Sequence, residues 1–217
     1  MSWWAKVRWT RLWSLISNRL RMGRRHGWRI RKSRRLRKVM RQLAKQPDGW
    51  AKALGYLRKV DPFVFEEVIL TSFEEANLMV KRNLRYTGDG GSDGVVVFQR
   101  QTIHIQAKRY GSHVQQSHVR DFARMCEREG TMGLFVHTGK TGQGTKDVLM
   151  GTSHVRVVSG RRLIELVSEE GAARACLAHL VEHHRGSGHA LHRRSSIGPK
   201  LHAAGQDIPN QTKRRKL

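Results

Sequence analysis

Near the middle of the chain, Asp93, Gln106 and Lys108 have the types and spacing for phosphate chemistry. Asp93 stands in the run Gly88-Asp89-Gly90-Gly91-Ser92-Asp93-Gly94. That run reads as a tight turn, because glycine reaches positive φ at no steric cost. Val95-Val96-Val97-Phe98 is a short apolar run, Gln99 to Thr102 is polar, and Ile103 to Lys108 alternates with period two. This pattern predicts a β-hairpin. Its strands would bring Asp93, at the start of the first, beside Gln106 and Lys108, near the end of the second. Gln106 and Lys108 are two apart and so share one face of their strand. A carboxylate, an amide oxygen and an ammonium at one end of a sheet make a set suited to hold a divalent metal and a water beside a phosphate. The same residues also fit an ordinary Gly/Asp turn followed by a solvated Gln and Lys, and spacing alone leaves both readings open.

More of the chain bears on the choice. Asp61-Pro62-Phe63-Val64-Phe65-Glu66-Glu67 comes first, then Tyr86-Thr87 leading into the glycine run, then Ile105-Gln106-Ala107-Lys108-Arg109-Tyr110. In this order and approximate spacing, these runs resemble the catalytic domain of Mrr-type restriction endonucleases. That domain is a type IV restriction branch of the PD-(D/E)xK nuclease superfamily, and the resemblance covers about residues 61–168. It implies an α/β, restriction-endonuclease-like three-layer core, with a central mixed sheet flanked by helices. It implies metal-dependent hydrolysis of a DNA phosphodiester, with Mg²⁺ as the hard cation an oxygen site suits. By the same resemblance Asp93 is the main metal ligand and Glu66 reaches the metal from its helix. Gln106 ligates through its carbonyl oxygen where most of the superfamily has an acid. Lys108 places and activates the attacking water or stabilises the pentacovalent charge. Asp89 takes a structural role. Without the resemblance Glu66, Glu67, Glu74 and Glu75 are equivalent candidates, and the last three are expected to be exposed helix carboxylates. The chain departs from the family pattern at His137, Thr145 and Ser159, where an aliphatic or small residue, Ala and Asp are usual.

The elements that must position these residues follow from local pattern. Asp61-Pro62 is a helix start, with Asp as cap and Pro in the first turn. The helix is expected to run to about Val80, and Lys81 to Tyr86 to form the first core strand. A helix is expected from about Val114 to Arg128, with Gln115 and Gln116 at its start. Thr131 to Thr138 reads as a buried parallel strand. Helices over Gly142–Met150 and from Ser159 to Leu166 bracket a last strand, Val155–Val158, and a final helix runs from Ala172 to about His184. Gly139-Lys140-Thr141 lacks the earlier glycine of a phosphate-binding loop, so nucleotide binding is rejected. His179 and His183 lie at i, i+4, but no third metal ligand accompanies them.

Charge divides the chain. Its 217 residues carry a formal net charge of +25. Residues 1–47 hold sixteen Lys or Arg and no Asp or Glu, and residues 183–217 hold eight basic residues against Asp207. The division expected is therefore a basic Trp/Arg-rich N-terminal extension over 1–47, a nuclease domain over 48–184 and a disordered basic tail over 185–217. Such charge attracts polyanions, with contacts mainly to the DNA phosphate backbone. Residues 22–45 read either as a helix that orders on a phosphate backbone or as a solvated arm. Residues 1–20 place Trp9, Trp13, Ile16 and Leu20 on one helical face. That face fits a membrane surface, the domain itself or a partner protein. No run of 18 apolar residues appears, so no transmembrane helix is expected. Cys126 and Cys176 are too few for a disulfide framework, which points to a reducing, cytoplasmic setting. Three function classes stay open: an endonuclease restricting foreign or modified DNA, a DNA-binding protein on a nuclease fold with weak or lost activity, and an anchored protein. Cutting both strands favours a homodimer.

Overall fold

The computed structural model describes residues 26–83 and 91–195. The expectations for residues 1–20, for Asp89 and for the last part of the basic tail lie outside them.

Asp61 starts the central helix as the sequence indicates. Its carboxylate accepts a hydrogen bond from the Val64 amide at 3.1 Å, with Pro62 in the first turn. This helix, α3, runs Pro62–Glu75 and not to Val80. It ends because Asn77 adopts φ 57. The Asn77 amide then donates to Glu74 O at 3.0 Å and the Leu78 amide to Phe73 O at 3.2 Å. This is the left-handed cap that satisfies the last carbonyls of a helix. The chain is thereby released early, and the first strand, β1, is Met79–Arg82.

Four more strands follow: β2 (Gly94–Phe98), β3 (Gln101–Lys108), β4 (Met132–His137) and β5 (Val155–Val158). They form one mixed sheet in the order β1-β2-β3-β4-β5. The β1–β2 and β2–β3 pairs are antiparallel, and the β3–β4 and β4–β5 pairs are parallel. The parallel crossovers are made by α4 (Gln116–Arg128) and α5 (Gln143–Met150). Alternation along each strand sends side chains to two layers. Val96, Ile103, Ile105, Ala107, Leu134, Val136 and Val158 pack with α3, and Phe135 and Val155 pack with α4. Phe65, Phe73, Phe122 and Phe135 are fully buried, each stabilising the fold by roughly 1.5–3 kcal/mol. Helices α2 (Gly49–Leu57), α6 (Gly160–Ser168) and α7 (Ala172–Ser195) complete the α3 side. The result is the expected α/β three-layer core.

Three further expectations are corrected. Residues 26–44 are neither a solvated arm nor a helix that needs a phosphate backbone to order. They form a helix, α1, whose Leu36 and Met40 enter the same core as α3. Ser33 is buried and hydrogen-bonded to Thr71 at 2.8 Å, and Arg37 donates to Val167 O at 3.1 Å. Apolar and small residues at i, i+3, i+4 spacing outweigh the arginine content on that face. Pro47-Asp48-Gly49 is thus a corner within packed structure, where a Cβ on Gly49 would lie 1.8 Å from Leu43 O. Glu67 is not an exposed carboxylate. It is buried and paired with Arg82 at 2.9 Å and with His26 at 3.3 Å. Helix α7 continues past His184 to Ser195.

Candidate active site

The β2–β3 hairpin brings the candidate residues together. Its turn is Gln99-Arg100, both at positive φ (49 and 64). This two-residue geometry matches the twist of the strands and fixes the register. Gly94 pairs with Ile105, so Asp93 lies one step further on, opposite Gln106. The Asp93 amide donates to Ile105 O at 2.8 Å. Its carboxylate accepts from the Ala107 amide at 2.6 Å, which fixes one oxygen against β3. Burial pushes this carboxyl up to about 6, against the Ala107 hydrogen bond and the Lys108 charge.

Gln106 and Lys108 leave β3 on the α4 side of the sheet. Gln106 is 6% exposed, and its Oε1 is buried with no hydrogen-bond partner among the described residues. Leaving a buried acceptor unmet costs about 1–3 kcal/mol, so an empty lone pair at this position asks for a ligand. Lys108 is half-buried and acts electrostatically on both Asp93 and Glu66.

Glu66 comes from the second turn of α3. Burial, and then the facing Asp93, push its carboxyl up to about 8; Lys108 and Arg29 act in the opposite direction. The sequence could not separate Glu66 from the other carboxylates of α3, but the ion pairs do. Glu67 is held by Arg82, Glu74 by Arg82 and Arg34, and Glu75 by Arg37 and Arg41. Among the described residues Glu66 is the α3 carboxylate with no ion pair. Asp93 acts on it electrostatically instead, and where two carboxylates share a site one of them holds its proton more tightly. The described residues contain no cluster of three His, Cys, Asp or Glu suited to a metal. The oxygen set at this end of the sheet is therefore two carboxylates and the Gln106 amide.

A cleft of about 380 Å³ opens beside these residues, between the end of β3 and α4. It is lined by Gly91, Gln106 and Lys108, and by His118, Asp121, Arg124 and Arg128 of α4. The sequence reading missed this α4 face. Its signal was the spacing of His118, Asp121 and Met125 along one helical stripe. His118 Nδ1 lies 2.5 Å from the Tyr110 hydroxyl, which orients the imidazole at the cleft wall. Gln116 instead donates to Gly144 O at 2.9 Å and tethers α4 to α5. His137 is wholly buried beside Lys108 in the β3–β4 register, and burial holds it down to about 4, so it is neutral. Its Nε2 is 3.2 Å from Thr141 Oγ1, and it does not face the cleft lining. His179 packs against Arg156, 2.6 Å away.

Compared with known proteins, residues 57–167 match the family model described as restriction endonuclease, of the Mrr catalytic type. No curated protein matches the chain. A solved structure described as MspJI restriction endonuclease in complex with a 27-mer oligonucleotide aligns at 23% identity with a TM-score of 0.44. The alignment covers 63% of this chain and 37% of that one.

Proposed function

Because this chain belongs to the restriction endonuclease family, we propose that it is a metal-dependent endonuclease that hydrolyses DNA phosphodiester bonds. The observation that carries the proposal is Gln106 Oε1, a buried acceptor without a hydrogen-bond partner among the described residues, next to a carboxylate pinned by the Ala107 amide. With Glu66 and Asp93 it makes a set of hard oxygen donors, which fits Mg²⁺. A bound Mg²⁺ would polarise the phosphate, make its water more acidic and stabilise the leaving oxygen.

The chain's own residues divide the remaining work. Asp93 presents its second oxygen in a fixed direction, because the first is engaged by β3. Gln106 adds a neutral oxygen on the same face as Lys108, so the donor set carries two negative charges and not three. Lys108 brings its ammonium to the phosphate, orients the attacking water and offsets charge that builds on the phosphoryl oxygens. Glu66, raised to about 8, holds a proton at neutral pH until a cation displaces it. The family's restriction role points to foreign or modified DNA as the substrate. Double-strand cutting calls for two such sites, hence a homodimer.

The test is cleavage of plasmid by the full chain with and without Mg²⁺, beside Asp93→Ala and Lys108→Ala. Metal-dependent nicking or linearisation that both substitutions abolish is the expected result. Cutting that survives Asp93→Ala, or that proceeds in excess EDTA, would overturn the site. A chain that binds DNA and cuts neither plain nor modified plasmid under any divalent metal would instead be a binding protein on a nuclease fold.

A further inference from the structure

The family match begins at residue 57, so α1 lies outside the matched region. Its two faces are built differently. The inner face carries Ser33, Leu36, Arg37 and Met40, all buried. The cations on and beside that face are answered: Arg34 by Glu74, and Arg37 and Arg41 by Glu75. Arg31, Lys32, Arg35 and Lys38 point the other way and are exposed. Among the described residues none of these four has a carboxylate partner. At spacings of three and four along the helix they repel one another, which costs a few tenths of a kcal/mol per pair. A helix that served packing alone would gain from an acid at one of these positions. A helix that meets a polyanion has a use for all four.

We propose that this outward strip of α1, Arg31, Lys32, Arg35 and Lys38 with Trp28 at its head, is a docking rail for the phosphate backbone of duplex DNA beside the scissile bond. The proposal rests on the nuclease reading for its choice of DNA and deepens it by naming where the duplex is held. Position supports it. The Arg29 guanidinium lies 4.4 Å over the Phe63 ring and acts electrostatically on Glu66, so the strip starts at the same end of α3 as the candidate site. Length supports it too. The seven helical steps from Arg31 to Lys38 span about 10 Å, which matches about three phosphates along one strand at 3.4 Å of axial rise each. Trp28 is half-exposed and packs under the Lys32 ammonium, 4.7 Å from its ring. That contact steadies one end of the strip. An anionic membrane is the poorer occupant. The apolar face of α1 is already spent on the core, so the helix has none left to insert between lipids.

The test measures binding, not cutting. Affinity for a short labelled duplex is followed against salt for the parent and for the triple variant Arg31→Gln, Arg35→Gln, Lys38→Gln. A control triple, Lys52→Gln, Arg161→Gln, Arg185→Gln, removes the same charge from exposed positions elsewhere. At roughly 0.9 per phosphate contact, the slope of log affinity against log salt should fall by about 2.7 in the first triple. It should fall by less than about 1 in the control. Arg31→Gln alone should lower it by about 0.9, which keeps the test open if the triple melts early. An unchanged slope, or an equal fall in both triples, would overturn the proposal. So would phosphatidylserine vesicles that bind the parent more tightly than duplex and lose it in the first triple. The two readings fail separately. Strip-dependent binding without cleavage would sink the nuclease and leave the rail, and metal-dependent cleavage with an unchanged slope would do the reverse.

Discussion

Glu66→Gln keeps the size of the side chain and removes its charge, so it isolates the electrostatic tension of the site. In the folded chain burial and Asp93 push Glu66 from 4.5 up to about 8. An acid raised on folding binds its proton more tightly in the folded state. The folded state is then favoured in full below the unfolded value and loses that advantage as pH climbs to about 8. The displacement, at about 1.4 kcal/mol per tenfold change, sets a ceiling of about 5 kcal/mol. Glu66 keeps some contact with water, which screens the repulsion, so about 2 kcal/mol is the working figure. For a chain of this size that is a gain of roughly 4–8 °C in Tm. The assay is thermal melting in EDTA across pH. The variant should melt higher than the parent at about pH 9 and together with it at about pH 4. Adding Mg²⁺ at the alkaline end should raise the parent more than the variant, since a ligand that binds the folded state stabilises it. A variant that melts lower than the parent, or whose difference from it ignores pH, would refute the claim that Glu66 is forced to ionise against its neighbours.

Other perturbations test the frame around the site. Arg82→Met leaves Glu67 buried and without its guanidinium, and should cost about 3–5 kcal/mol in urea unfolding. Gly133→Ala places a Cβ 2.6 Å from Cys126 Sγ and Phe122 Cε1; the crowding of α4 against β4 should cost about 1–3 kcal/mol. The double change Gln99→Asn, Arg100→Gly suits the positive φ at both turn positions, and should stabilise the hairpin by about 1–2 kcal/mol with cleavage unaffected.

The hairpin was legible because each of its signals is local: period-two alternation, a polar stretch at the turn and a glycine run before it, although Gln101 and Thr102 of that stretch belong to β3 and not to the turn. Asp93 and Gln106 face each other once that register is set. The end of α4 was legible for the same reason. Gly130 at φ 60 caps it, and glycine is the expected residue there. The end of α3 was misread because Asn77, a less common residue in that conformation, makes the same cap. The burial of Glu67 was not legible at all. Its partners, Arg82 and His26, come from different elements, and no window of sequence contains the three. The packing of α1 was hidden by composition. Ser33, Leu36, Arg37 and Met40 form a core stripe, but one of the four is an arginine and its neighbours are arginines too. Only Glu75 on α3 and Val167 O at the end of α6 show why Arg37 is tolerated inside.

Those distant partners also explain how a chain with a net charge of +25 keeps a negative site. Arg34, Arg37 and Arg41 of α1 do not wash out the acids of α3. Together with Arg82 they are consumed in pairs with Glu67, Glu74 and Glu75. What remains on α3 is Glu66, set against Asp93 and partly offset by Lys108 and Arg29. Pairing thus leaves Glu66 and Asp93 as acids that no ion pair answers among the described residues, at the end of the sheet where Gln106 Oε1 has no described partner. A proton relieves that tension in part, and a divalent cation relieves both the charge and the empty acceptor. The basic helix and the acidic site are one electrostatic arrangement, since the inner arginines of α1 answer Glu74 and Glu75 and leave Glu66 as the α3 acid with no ion pair among the described residues.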